Sequence, residues 1–154
     1  MIRPTDMENA TDTLRQPAQE AGKAKKVPKP NNLFNVSCNT SLDFFRWWCI
    51  FLRPFISLTD RETDVISSFL KHRWELSKVI PDAAILDTMV MSDDTKKKVI
   101  EECNITSQHF YVVMSSLRKK GVVHGNIINP KLIPNMREDD GGVFRLLIQF
   151  KGDV

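Results

Sequence analysis

The residues best suited to chemistry lie together between Thr106 and Lys120, in the run TSQHFYVVMSSLRKK. Phe110, Val113, Met114 and Leu117 recur at i, i+3, i+4 and i+7, the spacing of a helix with one buried face. That period leaves Gln108, His109, Val112, Ser115, Arg118 and Lys119 on the outer side. The chemistry such a set offers is recognition of nucleic acid. A glutamine amide both donates and accepts, which matches the adenine edge in a major groove, and His109 or Ser115 can reach a base or a phosphate. Arg118, Lys119 and Lys120 place cations near the helix end for the phosphate backbone, with Lys96 to Lys98 flanking them from an earlier helix. Tyr111 can donate its hydroxyl to a phosphate or can pack. Thr106 and Ser107 open the helix and complete the candidate DNA-binding surface. For each of these residues singly, a solvated helix face accounts for its type; their grouping on one helix is what points to DNA.

Other chemistries lack their residues. There is no phosphate-cradling GxxxxGK[ST] loop, no GxGxxG, no HExxH and no GxSxG. The acidic pairs Asp93-Asp94, Glu101-Glu102 and Asp139-Asp140 fall at a helix start, on a solvated face and in a turn. Cys38, Cys49 and Cys103 are odd in number and far apart, and His72, His109 and His124 show no ligand spacing. The expectation is a protein with no catalytic residue, no metal and no cofactor, in a compartment that keeps thiols reduced.

The elements that must position the surface follow from Asp93 to Val123. Ser92 can cap a first helix, and Asp93 and Asp94 suit its positive end. Val99, Ile100 and Cys103 form its buried stripe and leave Lys96, Lys97, Glu101 and Glu102 in water. Asn104 stands where a left-handed residue must end the helix, Ile105 plugs the turn and Thr106 caps the next helix, which Gly121 closes. Two helices and a tight turn in this arrangement form a helix-turn-helix whose second helix can enter a major groove. The same unit also occurs in all-α domains that never touch DNA. Val122 and Val123 then start a β-prone run that Ile127, Ile128, Leu132 and Ile133 continue. After the turn Arg137 to Gly142 comes Val143 to Phe150, the best strand pattern in the chain. Helix, turn, helix and hairpin is the order of a winged helix, so the expected fold class is mainly α with a small C-terminal β-hairpin. The three carboxylates of the turn, Glu138, Asp139 and Asp140, repel phosphate, so this wing either stays off DNA or meets a basic protein surface.

Upstream, residues 1–32 are polar, with Lys23, Lys25, Lys26 and Lys29 among alanines and prolines. Such a segment buries too little apolar surface to offset its ordering entropy, and a disordered basic arm is expected. Residues 33–57 hold an aromatic helix, SLDFFRWWCIFLRPF, capped by Thr40 or Ser41 and ended by Pro54. It is too short for a membrane span, and Arg46 and Arg53 interrupt it. Phe44, Phe45, Trp47, Trp48, Phe51 and Leu52 surround nearly the whole helix. One face packs on the domain; the other calls for a partner protein or a second copy of the chain. Residues 58–154 form the winged-helix domain. It opens with a capping box from Thr59 to Glu62 and a stripe of Val65, Ile66, Phe69, Leu70 and Trp74, and a short helix spans Asp82 to Met89.

At 154 residues and 42% hydrophobic, the chain has the length of one domain and enough apolar residues for a packed core. A net charge of +3 allows nucleic-acid binding without demanding it. The N-terminus lacks the apolar core of a signal peptide, so secretion is not indicated.

Residues 41–150 resemble small winged-helix proteins of crAss-like bacteriophages of gut Bacteroidales. The stretches that carry the resemblance are FLRPFISLTDRETDVISSFL, LSKVIPDAAILDTMVMSDDTKKKVIEECNIT, and SSLRKKGVV followed by INPKLIP. LTDRETDVI is also similar to the opening of the LuxR-type helix-turn-helix, although here it lies well upstream of the candidate recognition helix. The resemblance implies a phage-encoded, sequence-specific binder of double-stranded DNA that regulates transcription or replication in the host bacterial cytoplasm. Two alternatives stand beside it: a terminase small subunit that recognises phage DNA for packaging, and a protein-interaction winged helix within a phage assembly.

Overall fold

The computed structural model describes residues 36–136. The arm expected over 1–32, the turn Arg137–Gly142 and the strand Val143–Phe150 lie outside the described residues. Among the described residues five helices follow one another: α1 Ser41–Ile56, α2 Asp60–Ser77, α3 Ala83–Val90, α4 Asp93–Glu102 and α5 Ser107–Lys119. A two-stranded antiparallel sheet comes next, β1 Val123–His124 and β2 Ile127–Ile128, with Val123 opposite Ile128 and His124 opposite Ile127. The chain is thus mainly helical with a small sheet on its C-terminal side.

Each helix begins at a side chain that accepts an otherwise unpaired N–H. Thr40, Thr59, Asp82, Ser92 and Thr106 take the amides of Asp43, Glu62, Ile85, Thr95 and His109. At Thr59 the capping box is reciprocal, since Glu62 Oε2 accepts the Thr59 N–H at 2.8 Å. Two helices end in the same way. Asn104 has φ +50°, its N–H reaches the Glu101 carbonyl and the Ile105 N–H reaches that of Ile100. Gly121 has φ +73°, with its own N–H on Arg118 and that of Val122 on Leu117. This pair of bonds satisfies carbonyls that a helix end leaves open, and it needs a left-handed residue at the centre. Helix α1 departs from expectation by continuing through Pro54 to Ile56. A proline in the last turn removes a single helical bond, and Ser57, at φ +56°, closes the helix instead by donating to the Arg53 carbonyl at 2.7 Å.

Helix α2 is the hub and packs against each of the other four helices. Its Val65, Ile66, Phe69 and Leu70 are buried, as are Val99 of α4 and Phe110, Val113, Met114 and Leu117 of α5. The Phe69 and Phe110 rings meet at 6.0 Å. On another side α1 contributes Phe45 and Cys49, and Ser67 of α2 donates its hydroxyl to the Phe45 carbonyl at 3.3 Å. Trp74 is only half-buried, touching Phe45 across this junction. Burial pushes the Cys49 thiol up to about 11, so it is inert packing material.

The run Val122 to Ile133 is not a single β-prone stretch. It folds back after two residues because Gly125, at φ +60°, supplies the positive dihedral that a two-residue hairpin loop requires. Val122, Val123 and Ile128 are buried, and β1 packs on α5. A short 3-10 turn, Pro130–Leu132, follows. There the Leu132 carbonyl accepts the Trp48 indole N–H at 2.8 Å, fixing that ring on α1.

Candidate nucleic-acid interface

The surface begins with the turn between α4 and α5. Because Asn104 reverses the chain in one residue, α5 leaves at an angle set by the plug of Ile105 and by the four buried side chains of its inner face. The outer face then follows from helix geometry. Gln108, Val112, Ser115 and Lys119 fall within about 60° of one another around the axis, with Tyr111 and Arg118 beside them. Ser107, Gln108, His109, Tyr111, Val112, Ser115, Arg118 and Lys119 are all exposed. Tyr111 keeps 60% of its surface open while its ring edge rests on Phe110 at 5.5 Å. Thr106 is exposed too, but its hydroxyl oxygen is already occupied as the cap, accepting the His109 N–H at 3.2 Å.

The electrostatics of this part of the chain are one-sided. From Ile105 to Met136 there is no Asp or Glu, while Arg118, Lys119, Lys120 and Lys131 are present. Arg118 also donates from Nε to the Gly125 carbonyl at 3.4 Å, which ties the hairpin tip to the end of the helix. Two of its guanidinium nitrogens remain for an outside acceptor.

Lys120 is the sequence-predicted site residue that the structure takes elsewhere. Its ammonium lies 2.7 Å from Glu62 Oε2 and 2.7 Å from the Ser57 carbonyl. Glu62 is 3% exposed and also accepts from the Ser116 hydroxyl at 2.5 Å. Burial raises the Glu62 pKa. The hydrogen bonds from Lys120, Ser116 and the Thr59 N–H, with the Lys120 charge, outweigh burial and hold the carboxyl below its ordinary range. The helical period, if continued, puts Lys120 in line with Arg118 and Lys119; the helix stops at Lys119, and Lys120 turns inward as its C-cap.

A second polar junction joins α4 to α2. Glu102, expected in water, takes hydrogen bonds from Ser68 and Lys71 of α2, and its side chain is 22% exposed. These bonds lower its pKa against the opposing effect of burial. His72 lies alongside, with Nε2 3.5 Å from Glu102 Oε2 and without a hydrogen bond. Burial, the largest influence, keeps its pKa below the usual value despite Glu102 and Glu75. The junction locks α4 to α2, so the first helix of the motif is held by charge as well as by Val99. The signal that was available is the spacing of Ser68, Lys71 and His72, which places all three on one face of α2.

Elsewhere, a cavity of about 360 Å³ sits at the C-terminal end of α2, lined there by Leu70, Arg73, Trp74 and Ser77, with Phe45 of α1 and Pro130 and Ile133 to Met136 opposite. Its one charged lining residue, Arg73, is paired with Asp87 at 3.2 Å. Among the described residues no group of His, Cys, Asp or Glu is arranged to hold a metal ion, and no helix is long and apolar enough to cross a membrane. No family model matches the chain, and neither a curated protein nor a solved structure is found to match it.

Proposed function

We propose that this protein binds double-stranded DNA with α5 in the major groove, as a phage-encoded regulator of transcription or replication in the host bacterial cytoplasm. The observation that carries the proposal is the α5 face, which is exposed along its length, rich in hydrogen-bonding groups, cationic at one end and free of carboxylates. A winged helix is the fold intended, with the short hairpin following α5 in the place of a wing. Electrophoretic mobility shift of the full chain over duplexes, with salt varied, is the test. Lys119→Ala is expected to weaken binding to every duplex and to lower the salt slope by about one unit. Gln108→Ala is expected to erode preference among sequences by about 1–3 kcal/mol while leaving the salt slope alone. Absence of duplex binding by the parent at low salt would sink the proposal. An eight- to ten-fold ring by native mass would move it to the terminase small subunit.

A specific observation favours a second reading, protein interaction within a phage assembly. On α1, Trp47, Ile50, Phe51 and Phe55 are 48%, 40%, 38% and 76% exposed and share one side of the helix. The neighbouring arginines leave no charge on this stripe. Arg46 reaches Asp64 at 2.8 Å, and Arg53 reaches Asp60 at 2.6 Å, both on α2. For a DNA regulator the stripe serves as a homodimer contact. Sedimentation should then show a dimer that Phe55→Ser converts to monomer with its helical circular dichroism retained. A parent that stays monomeric at high concentration, yet leaves Trp47 open to quenchers, points to a different protein partner.

A further inference from the structure

Val112 is the anomaly on the candidate surface. It is a β-branched apolar residue, 63% exposed, in the middle of a helix whose inner face is already filled by Phe110, Val113, Met114 and Leu117. β-Branched residues are modest helix formers, and an exposed valine adds nothing to packing. Its neighbours on the same stripe, Gln108 one turn before and Ser115 one turn after, carry hydrogen-bonding groups. Val112 has none. In a major groove, one feature of the base edges is complementary to such a side chain, the C5 methyl group of thymine. Tyr111, the other exposed apolar residue of α5, lies on the Arg118 side of the helix and ends in a hydroxyl that suits a phosphate.

We infer that Val112 is a specificity-determining residue that reads the thymine methyl, so that the sequence bound by α5 contains an A·T pair facing the middle of the helix. The inference rests on the DNA-binding function proposed above. About 6 Å of helix rise separates Gln108 from Val112, against 3.4 Å per base pair, so the two residues meet bases roughly two steps apart.

The test uses the full chain and duplexes selected from a random pool, resynthesised with deoxyuridine in place of one thymine at a time. Removing the methyl deletes one buried carbon and leaves every hydrogen-bonding group of the base in place. Parent protein should lose about threefold to fivefold in affinity at one such position and little at the others. Val112→Ser should bind the thymine and deoxyuridine duplexes equally, whereas Val112→Ile should keep the discrimination. Val112 is exposed, so both variants should fold like the parent, which circular dichroism would verify. A parent that binds duplex DNA but tolerates every deoxyuridine overturns the inference and leaves the DNA-binding proposal standing. A Val112→Ser variant that still discriminates assigns the methyl to another residue and also overturns it. Failure of the parent to bind any duplex removes both.

Discussion

Leu117→Ala is expected to lower the unfolding free energy by about 3–5 kcal/mol. Leu117 has no accessible surface and stands where α5 meets the core formed by α2, β1 and Val122. The loss combines the transfer free energy of the deleted atoms with the cavity left among Phe110, Val113, Met114 and their neighbours, which relax only partly. Its backbone adds a second reason. The Leu117 carbonyl accepts the Val122 N–H at 3.0 Å, and Val122 packs on the same core, so the cavity lies under the cap that ends α5. Chemical denaturation would measure the effect. An unchanged midpoint would mean that this side of α5 faces water, and the recognition surface would then have to be reassigned.

The next largest effect is expected at Lys120. Lys120→Met keeps the aliphatic stem but leaves the Glu62 carboxylate, nearly inaccessible, without its cation. The Lys120 side chain is 28% exposed, so the expected cost is about 2–3 kcal/mol, below that of a fully enclosed pair. The pH dependence gives the sign. The folded-state pKa of Glu62 is depressed, so its contribution is present above the unfolded value near 4.3 and is lost as pH falls through the lower folded value. Parent and variant should therefore differ most near neutrality and converge in acid. DNA affinity separates the two possible jobs of this residue. If Lys120 acts through Glu62, the salt slope of binding stays at the parental value, in contrast to Lys119→Ala. A lowered slope with full stability would return Lys120 to the phosphate-binding set.

Together these effects describe a surface held in place from behind. The outer side chains of α5 make almost no contacts of their own, and their positions depend on Leu117, on the Glu62–Lys120 pair and on the Glu102 junction under α4. A site on a helix backed by a close-packed core is fixed more closely than one on a loop. Variants in that backing should therefore alter the proposed DNA binding only as far as they alter folding.

Features that depend on a few neighbouring residues are legible along the chain. The caps at Thr59, Ser92 and Thr106, the left-handed turn at Asn104, the stop at Gly121 and the buried stripes of α2 and α5 all involve groups within about five positions of each other. Backbone sterics and the helical period suffice to read them. The exposed face of α5 follows from the same period by subtraction. Other features depend on contacts between distant parts of the chain. Lys120 is drawn to Glu62 across 58 positions, Ser68 to Glu102 across 34, and Trp48 to the Leu132 carbonyl across 84. A long polar side chain at a helix end can turn outward or inward at similar local cost, and only the position of a distant carboxylate or carbonyl chooses between them. The hairpin at Gly125 lies between these cases. Its glycine was visible, but Val122 to Ile133 is apolar enough to read as a continuous run, and the fold-back is selected because it buries Val123 and Ile128 together beside α5.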